Sequence, residues 1–119
     1  MTGGAEGIRA PEHLTPEHDL APFDSGVPAL DDWLKRRALA NETAGGSRTY
    51  VVCAGRRVID YYALATGAVA LAAATGRVRR NMPDSVPVMV LARLAVDRSY
   101  QDRGLGTDLL RDAILRILP

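Results

Sequence analysis

The segment Leu94-Ala95-Val96 is followed, four residues later, by Gln101-Asp102-Arg103-Gly104-Leu105-Gly106, and this stretch decides the fold. Before it, residues 88–96 form the longest apolar run of strand type, and after it, residues 104–118 carry apolar side chains at helical spacing. A strand, a glycine turn and a helix in this order form an anion site. The first amides of a helix have no intrahelical acceptors, and the helix dipole is positive there.

Two glycines suit this turn to a phosphate group. Because Gly104 and Gly106 have no side chains, phosphate oxygens can approach the amides that open the helix. Arg98 and Arg103 are expected to add positive charge at the same place. By itself the Gly-x-Gly pattern does not separate an anion site from a tight turn. The dinucleotide motif Gly-x-Gly-x-x-Gly is not met, because Leu109 stands at its last glycine, and no P-loop lysine follows.

Length and composition predict a single domain over residues 1–119. With 47% hydrophobic and 24% charged residues, the chain has the mix of a soluble globular protein. It has no apolar run long enough to span a membrane, and residues 1–10 have no signal-peptide pattern, so we expect a cytoplasmic protein without membrane contact. Cys53 is the single cysteine, which excludes a disulfide framework and a cysteine zinc cluster within the chain.

The net charge of +1 hides an uneven distribution. Residues 1–34 carry seven acidic side chains and one basic one, residues 35–76 two acidic and six basic, and residues 77–119 five acidic and eight basic. An acidic beginning followed by a basic remainder can produce local positive faces on a nearly neutral protein. The alternative is ordinary solvated charge, and the charge pattern alone does not decide between the two.

The order of elements predicts an α/β (α+β) fold, in which a mixed, largely antiparallel sheet is flanked by helices. Residues 1–27 form a lead-in with one short strand, and Pro28 can open a helix because its ring fixes φ where no amide donor is needed. Residues 66–74 are compatible with either a strand or a helix. The predicted elements are a helix over 28–41, strands over 49–54, 58–65 and 87–96, and a helix over 104–117.

The glycine turn resembles a known family. The pattern Gln101-x-x-Gly104-x-Gly106 after Leu94-Ala95-Val96 matches the acetyl-CoA motif of the GNAT acetyltransferases, Gln/Arg-x-x-Gly-x-Gly/Ala, which follows their strand β4. Other stretches resemble the GNAT toxins of type II toxin–antitoxin systems, and together they cover nearly the whole chain from Arg9. These stretches are residues 23–34, 47–52, 61–64, 76–83 and 91–97. The resemblance implies a GNAT fold that stops after the helix following the pyrophosphate turn.

The resemblance also implies a function. GNAT toxins of this kind acetylate the α-amine of aminoacyl-tRNA and so block translation, with acetyl-CoA as cosubstrate and no metal. A ribbon-helix-helix antitoxin usually neutralises them. The implied partners are therefore aminoacyl-tRNA and such an antitoxin, while homodimer formation stays open. Two alternatives also stay open: an acetyltransferase for another amine, which the basic loop at 77–80 argues against, and an inactive remnant that still binds the antitoxin.

The resemblance assigns site residues in two groups. The backbone of the strand would bind the pantetheine arm and the amides of the turn the pyrophosphate, while basic side chains would meet the tRNA. The cofactor-binding residues are Leu94, Ala95, Val96, Gln101, Arg103, Gly104, Leu105, Gly106 and Thr107, and the substrate-binding residues are Lys35, Arg36, Arg77, Arg79, Arg80 and Arg93. Arg93 lies within an apolar strand, where an arginine needs a partner or a wet cleft, and we expect the cleft.

The chain departs from the family pattern in two places. Asp60 stands where the family usually has a small residue, commonly glycine, and we expect its carboxylate to perturb the strand. The sequence stops at Pro119, whereas the family continues with a strand, a helix whose tyrosine acts as general acid, and closing strands. No residue here matches that tyrosine, so the catalytic residue stays unassigned. We therefore expect residues 1–119 alone to be poorly stable and not a competent enzyme.

Overall fold

The computed structural model describes residues 8–70 and 85–118, which form a four-stranded sheet with helices on both faces. The strands follow one another in the order β1-β2-β3-β4, and every neighbouring pair is antiparallel. This confirms the predicted fold class and the short strand of the lead-in. The elements are β1 (Glu12–His13), α1 (Pro28–Arg36), α2 (Ala38–Ala44), β2 (Ser47–Ala54), β3 (Arg57–Ala70), β4 (Ser85–Val96), a 3₁₀ turn (Arg98–Tyr100) and α3 (Leu105–Ile117).

The predicted single helix over residues 28–41 is wrong, because the structure has two helices that meet at Arg37. Pro28 opens α1 as expected. Arg37 leaves helical geometry with φ −122° and ψ −26°, and nothing in the local sequence marks this break. The second helix, α2, continues beyond residue 41 to Ala44. It ends there because Gly45 adopts φ +81°, a left-handed conformation that glycine tolerates at a helix end.

β2 and β3 form a hairpin around the two-residue turn Gly55-Arg56, in which Gly55 has φ +67°. Both strands are longer than predicted. β3 reaches Ala70, so the part of the undecided segment that is described, residues 66–70, is strand; residues 71–74 lie outside the described ranges. On the α3 side of the hairpin Tyr50 pairs with Tyr62, and their rings stack with centroids 5.2 Å apart.

Two β-bulges interrupt the alternation of side chains. In the β2–β3 ladder Val52 pairs with Asp60 and Cys53 with Val58, so Ile59 is the extra residue. Ile59 belongs to the apolar cluster on the α3 side, and Asp60 lines a cavity on the same side. In the β3–β4 ladder Ala63 pairs with Arg93 and Leu64 with Leu91, which leaves Ala92 as the extra residue. Bulges of this kind bend a strand and redirect its side chains.

The sheet separates two apolar clusters. On one face α1 packs against the sheet through Trp33 and Leu34 and α2 through Ala38. Phe23, from the loop before α1, joins the same cluster, and both its ring and that of Trp33 lie against Tyr61. On the other face α3 packs through Leu109 and Ala113. Each fully buried leucine or phenylalanine contributes about 1.5–3 kcal/mol to folding, so both helical layers are held mainly by burial of apolar surface.

The apolar face of α3 is only partly covered by the sheet. The sequence groups Leu105, Leu109, Leu110, Ala113, Ile114 and Ile117 on one side of this helix. Leu109 and Ala113 are 1% exposed, but Leu110 is 42% and Ile114 48% exposed. The predicted face is therefore split into a buried stripe and an exposed stripe. Within the described ranges no helix has both the length and the hydropathy needed to cross a membrane.

Candidate functional site

The glycine turn between β4 and α3 presents a group of free backbone donors. Gly104 caps α3 with φ +81°, a conformation that side-chain-bearing residues adopt only with strain. The first helical bond runs from the amide of Asp108 to the carbonyl of Gly104, at 3.1 Å. The amides of Leu105, Gly106 and Thr107 have no acceptor among the described residues. With the positive end of the helix dipole, these donors suit an anion.

The space around the turn also fits a phosphate group. A Cβ atom added at Gly104 would have no neighbour within 4 Å, so the backbone is open to approach from that side. A Cβ at Gly106 would lie 3.8 Å from Val96 Cγ2, which is ordinary contact distance. Gly106 therefore faces the end of β4, and an alanine can be accommodated there. The nine residues assigned to the cofactor are brought together at this strand end and turn.

Gln101 holds the turn in place. Its side-chain Nε2 donates to the carbonyl of Val96 at 2.8 Å and to the carbonyl of Ser25 at 2.9 Å. The first hydrogen bond ties the turn to the end of β4, and the second ties it to the loop before α1. Because both side-chain amide hydrogens are used within the protein, the role of Gln101 in this structure is to fix the position of the turn.

Asp97 fixes the same junction from the other side. It is 3% exposed and accepts hydrogen bonds from the amides of Asp24 (2.9 Å) and Ser99 (3.0 Å) and from the Ser99 hydroxyl (2.6 Å). The guanidinium of Arg57 lies 3.1 Å from its Oδ2. Burial alone would raise the pKa of Asp97, but these hydrogen bonds and the charge of Arg57 lower it overall. The carboxylate is therefore a charged structural anchor at neutral pH.

The two arginines expected beside the turn have different surroundings. Arg98 pairs with Asp24 at 3.3 Å, and its backbone amide also binds the carbonyl of Asp24. Much of its charge is thus balanced within the protein, which corrects the expectation that Arg98 adds free positive charge. Arg103 lies over the ring of Tyr100, 4.9 Å from the centroid, and is exposed next to the helix start. Arg103 alone brings the expected charge.

Basic side chains gather on the opposite face of the sheet, beside α1. The guanidinium of Arg93 stacks on the ring of Trp33, 4.2 Å from its centroid, and both border a depression of about 260 Å³. Arg36 and Arg37 line the same depression. Arg93 therefore has the open cleft that was expected, together with an aromatic partner. The sequence analysis missed Arg37, although its position in the run Lys35-Arg36-Arg37 was a signal.

Of the other expected basic residues, the structure describes Lys35. Lys35 is exposed on α1 but does not line this depression. Arg77, Arg79 and Arg80 lie outside the described residues. Their assignment to the substrate stays a prediction.

The model of the acetyltransferase (GNAT) family matches residues 27–117, most of the chain. This chain belongs to the GNAT acetyltransferase family. The match begins next to α1 and ends with α3, so it includes the glycine turn and both helical layers. The glycine motif of this GNAT chain thus lies within the residues that the family model matches.

Individual relatives agree with this assignment. The chain is 59% identical to the tRNA-acetylating toxin of Mycobacterium tuberculosis (strain ATCC 25618 / H37Rv) over 110 residues, which is 92% of this chain. The structure of AtaT complexed with acetyl-methionyl-tRNAfMet is similar, with a TM-score of 0.76, 29% identity and coverage of 92% of this chain and 68% of that one. These structural likenesses confirm the GNAT fold.

A further similar structure is that of a mutant AtaT toxin bound to the C-terminus of the antitoxin AtaR and to acetyl-CoA. It has a TM-score of 0.75 and 29% identity, and the match covers 93% of this chain and 66% of that one. The GNAT chain spans 66% of the length of the curated relatives that it matches.

The four tyrosines of this GNAT chain all make contacts within the protein. The hydroxyl of Tyr61 donates to the carbonyl of Leu30 at 2.7 Å, and that of Tyr62 donates to Asp112 at 2.5 Å. Burial is the largest cause that raises the pKa of both phenols. Tyr50 is stacked between His13 and Tyr62, and Tyr100 packs against arginines. The catalytic residue thus stays unassigned within the described ranges.

Asp60 is the unusual acidic residue of the sheet. It is 1% exposed, and its Oδ1 has no hydrogen-bond partner among the described residues. Burial, followed by the charge of Asp108, raises its pKa from 3.8 to about 7. A bulge at Ile59 lies directly beside it, where the sequence predicted a perturbed strand.

One group of residues resembles a metal-ligand set. Ligand atoms of Glu12, His18 and Cys53 lie within 4.8 Å of one another. However, His18 Nδ1 accepts the amide N–H of Thr15 at 2.9 Å, so the ring proton is on Nε2 and donates to Glu12 at 2.8 Å. Burial also raises the pKa of the Cys53 thiol, which disfavours the thiolate that a metal needs. Glu12 and His18 form a hydrogen-bonded pair beside the Cys53 thiol, and the group does not fit a metal ion.

Proposed function

We propose that this GNAT chain is part of an N-acetyltransferase that moves an acetyl group from acetyl-CoA to the α-amine of aminoacyl-tRNA and so blocks translation. The observation that carries this proposal is the 59% identity to a tRNA-acetylating toxin over 92% of the chain. The likeness to AtaT, whose structure contains acetyl-methionyl-tRNA, supports the same substrate class.

The donor side of the proposal rests on the glycine turn. The amides of Leu105, Gly106 and Thr107 are free to hold the pyrophosphate of acetyl-CoA, and Arg103 adds a full charge beside them. β4 is the last strand in the described sheet, so one edge of Leu94–Val96 can bind the pantetheine arm as a neighbouring strand would. When bound, acetyl-CoA supplies the thioester that is attacked.

The acceptor side needs little help from the protein. An α-amine has a pKa of about 7.7–8.0, so a useful fraction is unprotonated at neutral pH without a dedicated base. A backbone amide near the end of β4 is suited to polarising the thioester carbonyl. The depression lined by Arg36, Arg37 and Arg93 offers cationic side chains to tRNA phosphates, with Trp33 as a stacking surface. The proposed basic surface also includes Lys35, Arg77, Arg79 and Arg80.

An antitoxin is the proposed protein partner. The support is the likeness to AtaT bound to the C-terminus of AtaR. In this proposal the antitoxin is of the ribbon-helix-helix type, and the protein is cytoplasmic. Co-expression of the chain with its neighbouring gene product, followed by copurification, tests the partnership.

A pair of variants at Gly106 tests the donor site. Gly106→Val places a branched side chain between the turn and β4 and is expected to abolish measurable binding of acetyl-CoA in calorimetry. Gly106→Ala is the matched control, because the structure has room for its Cβ and the GNAT motif admits alanine. Urea unfolding of both variants separates lost binding from lost folding. Unchanged affinity in a folded Gly106→Val protein would contradict the donor site.

Transfer to a defined acceptor tests the reaction. Aminoacyl-tRNA, uncharged tRNA and a free amino acid are each incubated with labelled acetyl-CoA. Any label that residues 1–119 transfer, at the low rate expected without the family's general acid, is expected on the aminoacyl-tRNA alone. Label on the free amino acid at an equal rate would favour the alternative of another amine. A protein that binds the antitoxin but transfers nothing would favour the inactive remnant.

Salt dependence of tRNA binding tests the basic surface. Replacing Arg77, Arg79 and Arg80 by alanine is expected to lower the slope of log affinity against log salt by about 0.7–0.9 per lost phosphate contact. Replacing Arg56, which lies in the β2–β3 turn, shows the effect of removing one positive charge outside the proposed surface. An unchanged slope in the triple variant would exclude these residues from the tRNA surface.

A further inference from the structure

Three arginines surround the glycine turn, and they differ in what balances their charge. Arg57 lies 3.1 Å from the carboxylate of Asp97, and Arg98 lies 3.3 Å from that of Asp24. Arg103 forms no ion pair with a carboxylate in the described part of the chain. Its charge is therefore available to an anion at the turn.

The ring of Tyr100 is the group that contacts the Arg103 side chain. The guanidinium carbon lies 4.9 Å from the ring centroid, within the distance at which a cation is attracted to an aromatic face. Only two residues separate Tyr100 from Arg103, and one of them, Asp102, has φ +64°. Residues other than glycine adopt this left-handed conformation uncommonly. Here it turns the chain at the point where Arg103 returns to the ring.

The position of the Tyr100 ring is fixed by the protein. Its backbone amide donates to the carbonyl of Asp97 at 2.9 Å within the 3₁₀ turn, and its ring packs against the apolar cluster on the α3 side of the sheet. Arg57, which Asp97 holds, lies near the same ring, with its guanidinium carbon 6.0 Å from the centroid. The ring is thus a platform that the sheet and a buried carboxylate keep in place.

A fixed platform changes what an exposed arginine can contribute to binding. The long side chain loses rotamer freedom when it binds an anion, and this loss weakens binding. Stacking on Tyr100 removes part of that freedom beforehand, so less is lost when the ligand arrives. The free amides at the start of α3 supply directed donors, and Arg103 supplies a full charge beside them.

We propose that Tyr100 is a positioning residue, which holds the guanidinium of Arg103 ready for the pyrophosphate of acetyl-CoA. This role rests on the donor site of the proposed function and adds to it a residue outside the glycine motif. Tyr100 acts through Arg103 and does not itself touch the ligand.

Calorimetric titration of residues 1–119 with CoA and with 3′-dephospho-CoA tests the role of Tyr100. Both molecules contain the pyrophosphate, but only CoA carries the 3′-phosphate on its ribose. Tyr100→Leu removes the aromatic face and is expected to weaken the binding of both by about two- to fivefold, the range for an exposed cation–π contact. A loss with CoA alone would place Arg103 at the 3′-phosphate and overturn the assignment to the pyrophosphate.

A double-mutant cycle separates positioning from a merely structural role. In an Arg103→Ala background, Tyr100→Leu should change the affinity for CoA by less than about twofold, because the side chain that it positions is gone. An equal loss in both backgrounds, or no loss in either, would overturn the proposal. Tyr100→Phe keeps the ring and should rescue binding. Arg111→Ala removes an exposed charge further along α3 and should leave the affinity unchanged.

NMR of the wild-type chain decides the matter if Tyr100→Leu does not fold. Protons above an aromatic face are shifted upfield, so the side-chain Hδ signals of Arg103 should lie upfield of those of the exposed Arg111. Equal shifts in a folded chain that binds CoA would overturn the role of Tyr100 and leave the donor site intact. A folded wild type that does not bind CoA would overturn the donor site and this role with it.

Discussion

Replacing Asp60 by asparagine is expected to remove a large part of the pH dependence of folding stability. The pKa of this carboxyl is raised from 3.8 to about 7 in the folded chain, by burial first and by the charge of Asp108 second. Each pKa unit corresponds to about 1.36 kcal/mol, so the ionised form costs the folded state about 4 kcal/mol at pH 8. Asparagine has nearly the same shape and carries no charge.

The direction of the effect follows from proton binding. Between pH 4 and 7 the folded chain holds a proton on Asp60 that the unfolded chain has lost. The free energy of unfolding of the wild type therefore falls as pH rises through this window and levels off above about pH 8. In Asp60→Asn this fall is absent. The variant should match the wild type near pH 4 and exceed its stability by up to about 4 kcal/mol at pH 8.

Urea unfolding at closely spaced pH values from 4 to 8 measures this difference. Asp108→Asn is the control, since removing its charge should lower the midpoint for Asp60 without abolishing the fall. Asp97 does not affect this comparison between pH 4 and 8. Because its pKa is lowered in the folded chain, the stability that its ionised form contributes is lost only as the pH falls below the ordinary aspartate range. Parallel stability curves for the wild type and Asp60→Asn would refute the assignment of a buried, protonated Asp60.

Three further predictions concern stability at pH 7, measured by urea unfolding. Asp97→Asn should lower the free energy of unfolding by about 2–3 kcal/mol, because charged hydrogen bonds to Asp24, Ser99 and Arg57 are lost; a change under about 0.5 kcal/mol would contradict this. Gly104→Ala should cost about 1–2 kcal/mol from its φ of +81° alone, and a neutral result would mean that the turn is not left-handed. Tyr61→Phe should cost about 1 kcal/mol through the lost hydrogen bond to Leu30, and equal stability would show that water replaces it.

The parts of the fold that depend on residues close together in the sequence could be predicted from it. The glycine turn and α3 are local, because one strand end, two glycines and one helical pattern define the free amides. The hairpin of β2 and β3 is also local, since its turn needs one glycine with positive φ. The GNAT resemblance added the proposed function, which no periodicity could provide. The assignment of individual cofactor-binding and tRNA-binding residues stays a prediction.

The parts that depend on pairing across the chain could not be predicted. The exact positions of the bulges at Ile59 and Ala92 are defined by which residues face each other in two ladders. The acidic Asp60 indicated only that its strand is perturbed nearby. The contact of Arg93 with Trp33 joins β4 to α1 across 60 positions of sequence. The strand pattern around Arg93 therefore indicated that the arginine needs a partner or a wet cleft, but it did not indicate Trp33. The Asp60 cavity needs three separate elements to close around one side chain. The break at Arg37 has no sequence signal at all.

The loop before α1 connects the two sides of the proposed reaction. Its Asp24 binds Asp97 and Arg98 at the end of β4, and the carbonyl of Ser25 accepts the hydrogen bond of Gln101. The amide and hydroxyl of Ser25 also bind Asp31, which lies inside α1.

Asp24 and Ser25 thus join the turn proposed for acetyl-CoA to α1, the helix that carries Trp33 and Arg36. Because these contacts are short and several are buried, the turn and α1 cannot shift independently without breaking hydrogen bonds to a buried carboxylate. The physical consequence is a fixed spacing between the anion site and the basic depression. A transferase that brings a large nucleic acid to a bound thioester requires such a spacing, since small misplacements of the reacting groups slow transfer strongly.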